Sequence, residues 1–195
     1  FLLFIAMLSV STSPIIARYL ENVPAVAISF WRMAFGAIIL WGISIVRKQS
    51  SLKNENLKRT IIAGVLLGIH FALFFGAIKL TTISNATFLG TLAPLITFII
   101  EKFILKRNHT PALILGLVMA VIGALIIVGN KFDFSSDYTI GNLLAVACSI
   151  FLGMAFIISE NVRKEVGTIS YARILFSVAA ATLFIIAILS GTRLM

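Results

Sequence analysis

Seven apolar runs, at residues 1–17, 26–46, 61–78, 83–100, 111–128, 140–159 and 169–189, follow one another with short polar connections between them. A bilayer hydrocarbon core of about 30 Å is crossed by roughly 20 apolar residues wound as an α-helix. Within lipid each such run has to satisfy its own backbone N–H and C=O groups, and a continuous helix does so. The sequence therefore predicts an all-α integral membrane protein with seven transmembrane helices and the lipid bilayer as its first partner. A net charge of +9 would suggest nucleic acid in a soluble domain, but here 60% of residues are hydrophobic and the basic ones gather in the connections, where they set topology. Nucleic acid is excluded on that ground. The single cysteine, Cys148, lies inside a run and can form no internal disulfide.

Arg47, Lys48, Lys53, Lys58, Arg59, Lys102, Lys106, Arg107, Arg163, Lys164 and Arg173 fall on one side of an alternating seven-span path. Arg18, Lys79, Lys131 and Arg193 fall on the other, and Arg32 lies within the second run. By the positive-inside rule the N-terminus is cytoplasmic, in what is expected to be the plasma membrane. The stretch Ile28-Ser29-Phe30-Trp31-Arg32 returns as Ile169-Ser170-Tyr171-Ala172-Arg173, 141 residues later. That offset carries the second span onto the seventh and contains an odd number of spans, so the second copy is inverted, as in two-repeat transporters. Residues 1–129 then form a first five-helix repeat and residues 130–195 begin a second. The chain starts at Phe1, without methionine or a signal-peptide cleavage pattern. It reads as a fragment of a protein on the order of 280 residues, whose ten helices form a 5+5 inverted repeat.

Polar groups inside the runs supply the candidate site. Arg32 is the costliest, since an arginine in mid-membrane is unfavourable by ~2.5–3.5 kcal/mol on insertion scales. Either it holds an anionic group in a cavity or it snorkels to the headgroups. His70 is the one strongly polar side chain of the third run, nearly opposite a small-residue stripe, Gly64, Gly68, Ala72 and Gly76, that suits close helix packing. It either exchanges protons in a pathway or bonds between helices. Ser9, Ser11, Thr12 and Ser13 precede Pro14, so the first helix is either interrupted beside a cavity or kinked, with hydroxyls bonded back to it. In the fourth run Thr87, Thr91 and Pro94 share a face, while Asn85 projects elsewhere. Glu101 and Lys102 at its inner end are expected to snorkel. Asn108-His109-Thr110-Pro111 reads as a cap with proline at the first helical position, opening a fifth run that serves as scaffold.

With these motifs in place the chain resembles the EamA-type transporters of the drug/metabolite transporter superfamily. The resemblance lies in Ile28-Ser29-Phe30-Trp31-Arg32, in Gly76-Ala77-Ile78-Lys79-Leu80-Thr81 closing the third helix, and in Ala93-Pro94-Leu95 within the fourth. One departure is plain: where the family often has Gly-Glu, this chain has Lys106-Arg107. The resemblance implies secondary transport of small metabolites, amino-acid-like solutes among them, by alternating access and without a cofactor. Arg32, His70, Asn85, Thr91, Ser9 and Thr12 are the expected solute-binding residues, with protons as a coupling partner through His70. A structural or assembly protein of the membrane is the alternative, because small-residue stripes and buried hydroxyls also serve packing. An enzyme is not expected: there is no His-Glu-x-x-His metal motif, no pair of aspartates within the runs and no glycine-rich phosphate loop.

Overall fold

A computed structural model of the chain describes residues 2–20, 22–128 and 136–194, without the side chains of residues 2, 3, 6, 9, 127, 128 and 136. The elements are α1 (Leu2–Tyr19), α2 (Ala25–Val46), α3 (Asn54–Leu80), α4 (Ile83–Gly90), α5 (Ala93–Ile99) running into a π-helical turn (Ile100–Ile104), α6 (Pro111–Val128), a 3₁₀ turn (Ser136–Tyr138), α7 (Thr139–Glu165) and α8 (Thr168–Leu189). Among the described residues, five segments are long and apolar enough to cross a membrane: α2, α3, Ile83–Ile104, α7 and α8. The apolar stretch of α6, Pro111–Ile126, is shorter. Large apolar side chains such as Ile38, Ile45, Ile126 and Leu189 point outward. Water would penalise that surface, and lipid is the solvent that accepts it. The chain is an all-α integral membrane protein, and the described helices support five of the seven expected spans by length and apolarity.

Helix α3 is the centre of the bundle. It lies along α7, α8 and α2, while α8 also packs on α2. Its pairing with α7 is antiparallel, since Asn56 meets Glu165 at one end and Thr81 meets Asn142 at the other. Lipid tails are as apolar as leucine, so close contact rather than hydrophobicity holds such helices together. The small-residue stripe provides it. A Cβ on Gly64 would fall 2.7 Å from the Val178 Cβ, and one on Gly68 would fall 2.9 Å from the Ala179 carbonyl oxygen, both in α8. Gly76 instead faces Leu144 of α7 at 3.6 Å, so the stripe changes partner as α3 leaves α8.

Several helix limits differ from those the apolar runs suggest. Residues 54–60, expected in a basic linker, are the first turns of α3, where Arg59 pairs with Glu55 at 2.6 Å and Thr60 Oγ1 donates to the Asn56 carbonyl at 2.7 Å. At the other end of this pairing, α7 continues to Glu165 through the stretch expected as a charged linker. Each of these helices has 27 residues, and at about 1.5 Å per residue they outreach the hydrocarbon core. Charged residues end an apolar run but do not stop a helix, so hydropathy marks the apolar part of each helix and not its ends. The fourth span is broken two residues earlier than Pro94 suggests, in a turn at Thr91–Leu92, with Pro94 in the first turn of α5. Pro94 has no N–H to give to the preceding turn, and the ladder restarts when Ile96 N–H reaches the Leu92 carbonyl at 3.0 Å. Around Pro14 the outcome is the kink-type alternative: α1 continues through it, and Ser11 bonds back to the Met7 carbonyl at 2.8 Å.

The two bundle ends are tied differently. At one end Arg18 donates to the Ile78 and Thr81 carbonyls at 2.6 and 3.3 Å, and the Asn142 Oδ1 accepts from Thr81 and Asn85 at 2.8 and 2.9 Å. At the end carrying most of the basic residues, Arg107 bridges Glu160 of α7 at 2.6 Å and Glu101 of the π turn at 2.7 Å, while Lys164 holds Glu160 at 2.7 Å. The Glu160 bond, ahead of the Glu101 charge, pushes the Arg107 pKa above its ordinary range. Glu101 therefore pairs instead of snorkelling. The cation at position 107, the departure noted above, is balanced by acids from two other positions.

Candidate solute site

Arg32 is half-buried and turns inward. Its Nη1 donates to Ser13 Oγ of α1 at 2.6 Å, and its guanidinium lies 5.1 Å from the Phe71 ring centroid and 5.9 Å from that of Phe75, both in α3. These contacts hold the guanidinium against α1 and α3. Two aromatic faces offset part of the cost of placing the cation here, at about 0.5–2 kcal/mol for a contact of this kind. Among the described residues no carboxylate pairs with Arg32 and Ser13 is its one hydrogen-bond acceptor, although a guanidinium presents five donors. One turn earlier, the buried Ser29 hydroxyl lies 2.9 Å from the Ala25 carbonyl and 3.1 Å from that of Phe71, which seats α2 on α3 beside the guanidinium.

His70 is buried against α7, with Nδ1 2.8 Å from the Cys148 carbonyl oxygen. A carbonyl only accepts, so the ring donates from Nδ1 and leaves Nε2 as its second functional atom. The ring stacks on Phe74 at 5.9 Å and meets Phe71 edge-on at 4.9 Å. Phe71 thus touches both Arg32 and His70, and through it the two charge-bearing candidates become neighbours. The bond to α7 also gives His70 a helix-joining part.

The other expected site residues do not gather there. Asn85 is fully buried, as is Thr81, and both donate to the half-buried Asn142 at the end of the bundle that Arg18 ties. Thr91 is exposed, its hydroxyl bonded to the Phe88 carbonyl at 2.9 Å, and it lines a groove of about 210 Å³ between the broken helix and α6. Thr12 is exposed on α1, where Ser13, one residue on, makes the contact with Arg32. The Ser9 side chain lies outside the described residues. Ser13, Phe71, Phe75 and Asn142 were not singled out from sequence. Ser13 was visible as part of the hydroxyl cluster before Pro14, but a phenylalanine inside an apolar run carries no mark that separates it from any packing residue.

The second arginine of the Ile-Ser-x-x-Arg echo has a different environment. Arg173 is buried, 4.7 Å from the Trp41 ring centroid, and it donates to Ser44 Oγ and to the Ser50 carbonyl. Both α2 and α8 have 22 residues, and they begin at residues 25 and 168, a shift two residues longer than the 141 between the motifs. Arg32 consequently lies two positions deeper in its helix than Arg173. Arg173 fastens the end of α2, while among the described residues Arg32 spends a donor on Ser13 alone.

The chain is similar to three named proteins. It is 32% identical over 103 residues to the uncharacterized transporter YyaM of Bacillus subtilis (strain 168), covering 50% of this chain and 33% of that one. It is 25% identical over 178 residues to human solute carrier family 35 member G1, covering 84% and 49%. With the uncharacterized transporter YoaV of Bacillus subtilis (strain 168) it shares 24% over 153 residues, covering 77% and 52%. The chain therefore spans between a third and about half of the length of these relatives. A protein crystal structure matches its fold with a TM-score of 0.68, over 93% of this chain and 68% of that one, at 22% identity. Since residues 1–129, well over half of the whole, also match its family description, the chain belongs to the EamA-like transporter family.

Proposed function

We propose that this membrane transporter moves small organic solutes bearing a carboxylate, amino-acid-like compounds among them, with Arg32 gripping the anionic group and His70 supplying a hydrogen bond or exchanging a proton. The observation that carries this is Arg32 itself, a half-buried guanidinium with one hydroxyl partner and no carboxylate partner among the described residues. A bidentate carboxylate would take two of the remaining donors. Family membership and the transporter names of the relatives support transport as such. We further propose alternating access in a ten-helix, two-repeat molecule, with seven spans in this chain and the basic connections in the cytoplasm. The antiparallel packing of α2 on α8, which carry the repeated motif, supports inversion.

Solute flux in proteoliposomes under an imposed proton gradient tests the chemistry. Histidine titrates in the range of about pH 5 to 8, and glutamine keeps a hydrogen-bonding group without that titration. His70→Gln is expected to retain solute binding while the dependence of flux on the proton gradient flattens across that range. A variant that keeps the wild-type pH profile would reduce His70 to the clamp on α7, the observation that favours a structural role for this residue. If Arg32 also proves dispensable, the pathway has to be sought at Ser9, Thr12, Asn85 and Thr91.

Orientation has its own test. Cys148 is buried, so cysteines placed at Asp137 and Ser51 can be read against a quiet background. Labelling of Asp137→Cys from outside intact cells, and of Ser51→Cys only after permeabilisation, is the expected pattern. The reverse pattern would overturn both the cytoplasmic start and the assignment of the basic side.

A further inference from the structure

Three helices place Arg32 at the same depth below the end of the bundle that carries Arg18. It follows Ala25, the first residue of α2, by seven positions, and its partner Ser13 precedes Leu20, just past the end of α1, by seven. Its aromatic neighbours Phe71 and Phe75 precede Leu80, the last residue of α3, by nine and five. At 1.5 Å per residue these paths agree on about 10 Å. Between the guanidinium and that end lies an apolar layer in which Ala17 of α1 and Phe75 and Ile78 of α3 belong to one packed cluster, each at most 1% exposed.

Above that layer the two helices exchange their terminal cations. Arg18, in the last turn of α1, donates to the Ile78 and Thr81 carbonyls at the end of α3 at 2.6 and 3.3 Å. Lys79, in the last turn of α3, donates to the Leu20 carbonyl just past the end of α1. A helix leaves its last carbonyls without intrahelical donors and gathers partial negative charge there, so each end is a seat for a cation. A basic residue in a last turn can serve its own helix end in this way. Here each crosses to the neighbour, so the bonds that satisfy the two ends also tie α1 to α3. Arg18 is exposed and Lys79 half-buried, so both have water to return to when the contacts break. The earlier turns of α1 point Phe4, Met7, Leu8 and Val10 outward, which leaves its last two turns, from Ser13 to Arg18, to fasten it.

We infer that Arg18 and Lys79 are gating residues: their crossed bonds hold α1 shut against α3 over the Arg32 site, and the site opens toward that end when they let go and the Ala17–Phe75–Ile78 layer parts. Neither residue touches the solute. They set whether the guanidinium can be reached from this end, and the Arg107 cluster ties the opposite one. The role rests on the reading of Arg32 as the solute site. The opening itself is read without solute, so the two fail differently: a dispensable Arg32 leaves the labelling pattern below intact, and a failed gate erases it.

The test is cysteine reactivity in the chain purified in detergent micelles, with Ala17→Cys as reporter, a sulfonated maleimide as probe and labelled peptides read by mass spectrometry. The reporter is expected to react slowly while the clasp is intact. Adding Arg18→Gln or Lys79→Gln should each speed it by about tenfold or more, the factor that follows from losing hydrogen bonds to a charged group. Lys79→Arg keeps a cation that reaches the Leu20 carbonyl and should stay within about twofold of the slow rate. Arg193→Gln, which removes a cation from the same end, should change nothing. The native Cys148, buried on α7, is the internal standard and should stay unreactive throughout. The gate is overturned by fast labelling of the reporter alone, by an unchanged rate in either glutamine variant, or by an equal rise in Lys79→Arg or Arg193→Gln. Parallel labelling of Cys148 would overturn it too, as showing a bundle loosened throughout.

Discussion

Arg32→Lys is expected to lower binding and flux of a carboxylate solute by roughly 10–100-fold, because charge-assisted hydrogen bonds of about 1.5–3 kcal/mol are lost while the charge remains. A guanidinium meets a carboxylate with two parallel N–H donors in one plane, and an ammonium is a single point that cannot reproduce that geometry. The loss should appear in binding while folding is spared, since lysine keeps a cation for Phe71 and Phe75 and a donor for Ser13. Equilibrium binding and proteoliposome flux at matched insertion, with the melting temperature beside them, separate the two. An Arg32→Lys protein that binds and transports like wild type would show that the guanidinium serves α1–α2–α3 packing alone.

The largest expected effect on stability is at Gly141, in the first turn of α7. A Cβ there would stand 2.6 Å from the Leu80 carbonyl carbon, 2.7 Å from the Leu80 oxygen and 2.7 Å from the Thr81 Cβ. Two of those atoms are backbone and cannot rotate away, so Gly141→Ala has to push α7 off the end of α3. The next residue is Asn142, whose Oδ1 accepts from Thr81 and Asn85, and this buried polar cluster would be pulled apart with it. Overpacking of this kind costs about 2–3 kcal/mol, equivalent to roughly 5–10 °C in melting temperature for a chain of this size. The controls are Gly116→Ala and Gly123→Ala, where no atom beyond the helix's own adjacent backbone lies within 4 Å of the added carbon and no loss is expected. Melting in detergent checks all three, and an unchanged Gly141→Ala would mean that the start of α7 does not press on α3 this closely.

The character of the fold was legible because each apolar run reports its own solvent. A stretch such as 169–189 can only be buried or lipid-facing, and its backbone can only be satisfied as a helix, whatever its neighbours do. The same local logic marked Gly64 and Gly68 as a packing stripe, since a missing side chain matters only where another helix comes close. Local logic gave way at residues 54–60 and 160–165, where charge ended the apolar run without ending α3 or α7, and at Thr91–Leu92, where the missing proline donor broke the helix upstream of Pro94.

The sequence by itself determined that this chain is a helical membrane protein with an arginine and a histidine inside its spans, because solvent preference and backbone hydrogen bonding are properties of each segment alone. Only the tertiary structure decided which polar groups meet. It turned Arg32 toward Ser13 and Phe71, set His70 on the Cys148 carbonyl, sent Asn85 to Asn142 and left Thr91 on the far side facing α6. The physical reason is that the face a helix shows to its neighbours is fixed by the paths those neighbours take. The partners chosen here, aromatic rings, a main-chain oxygen and a hydroxyl, are groups whose sequence gives no sign of the contact.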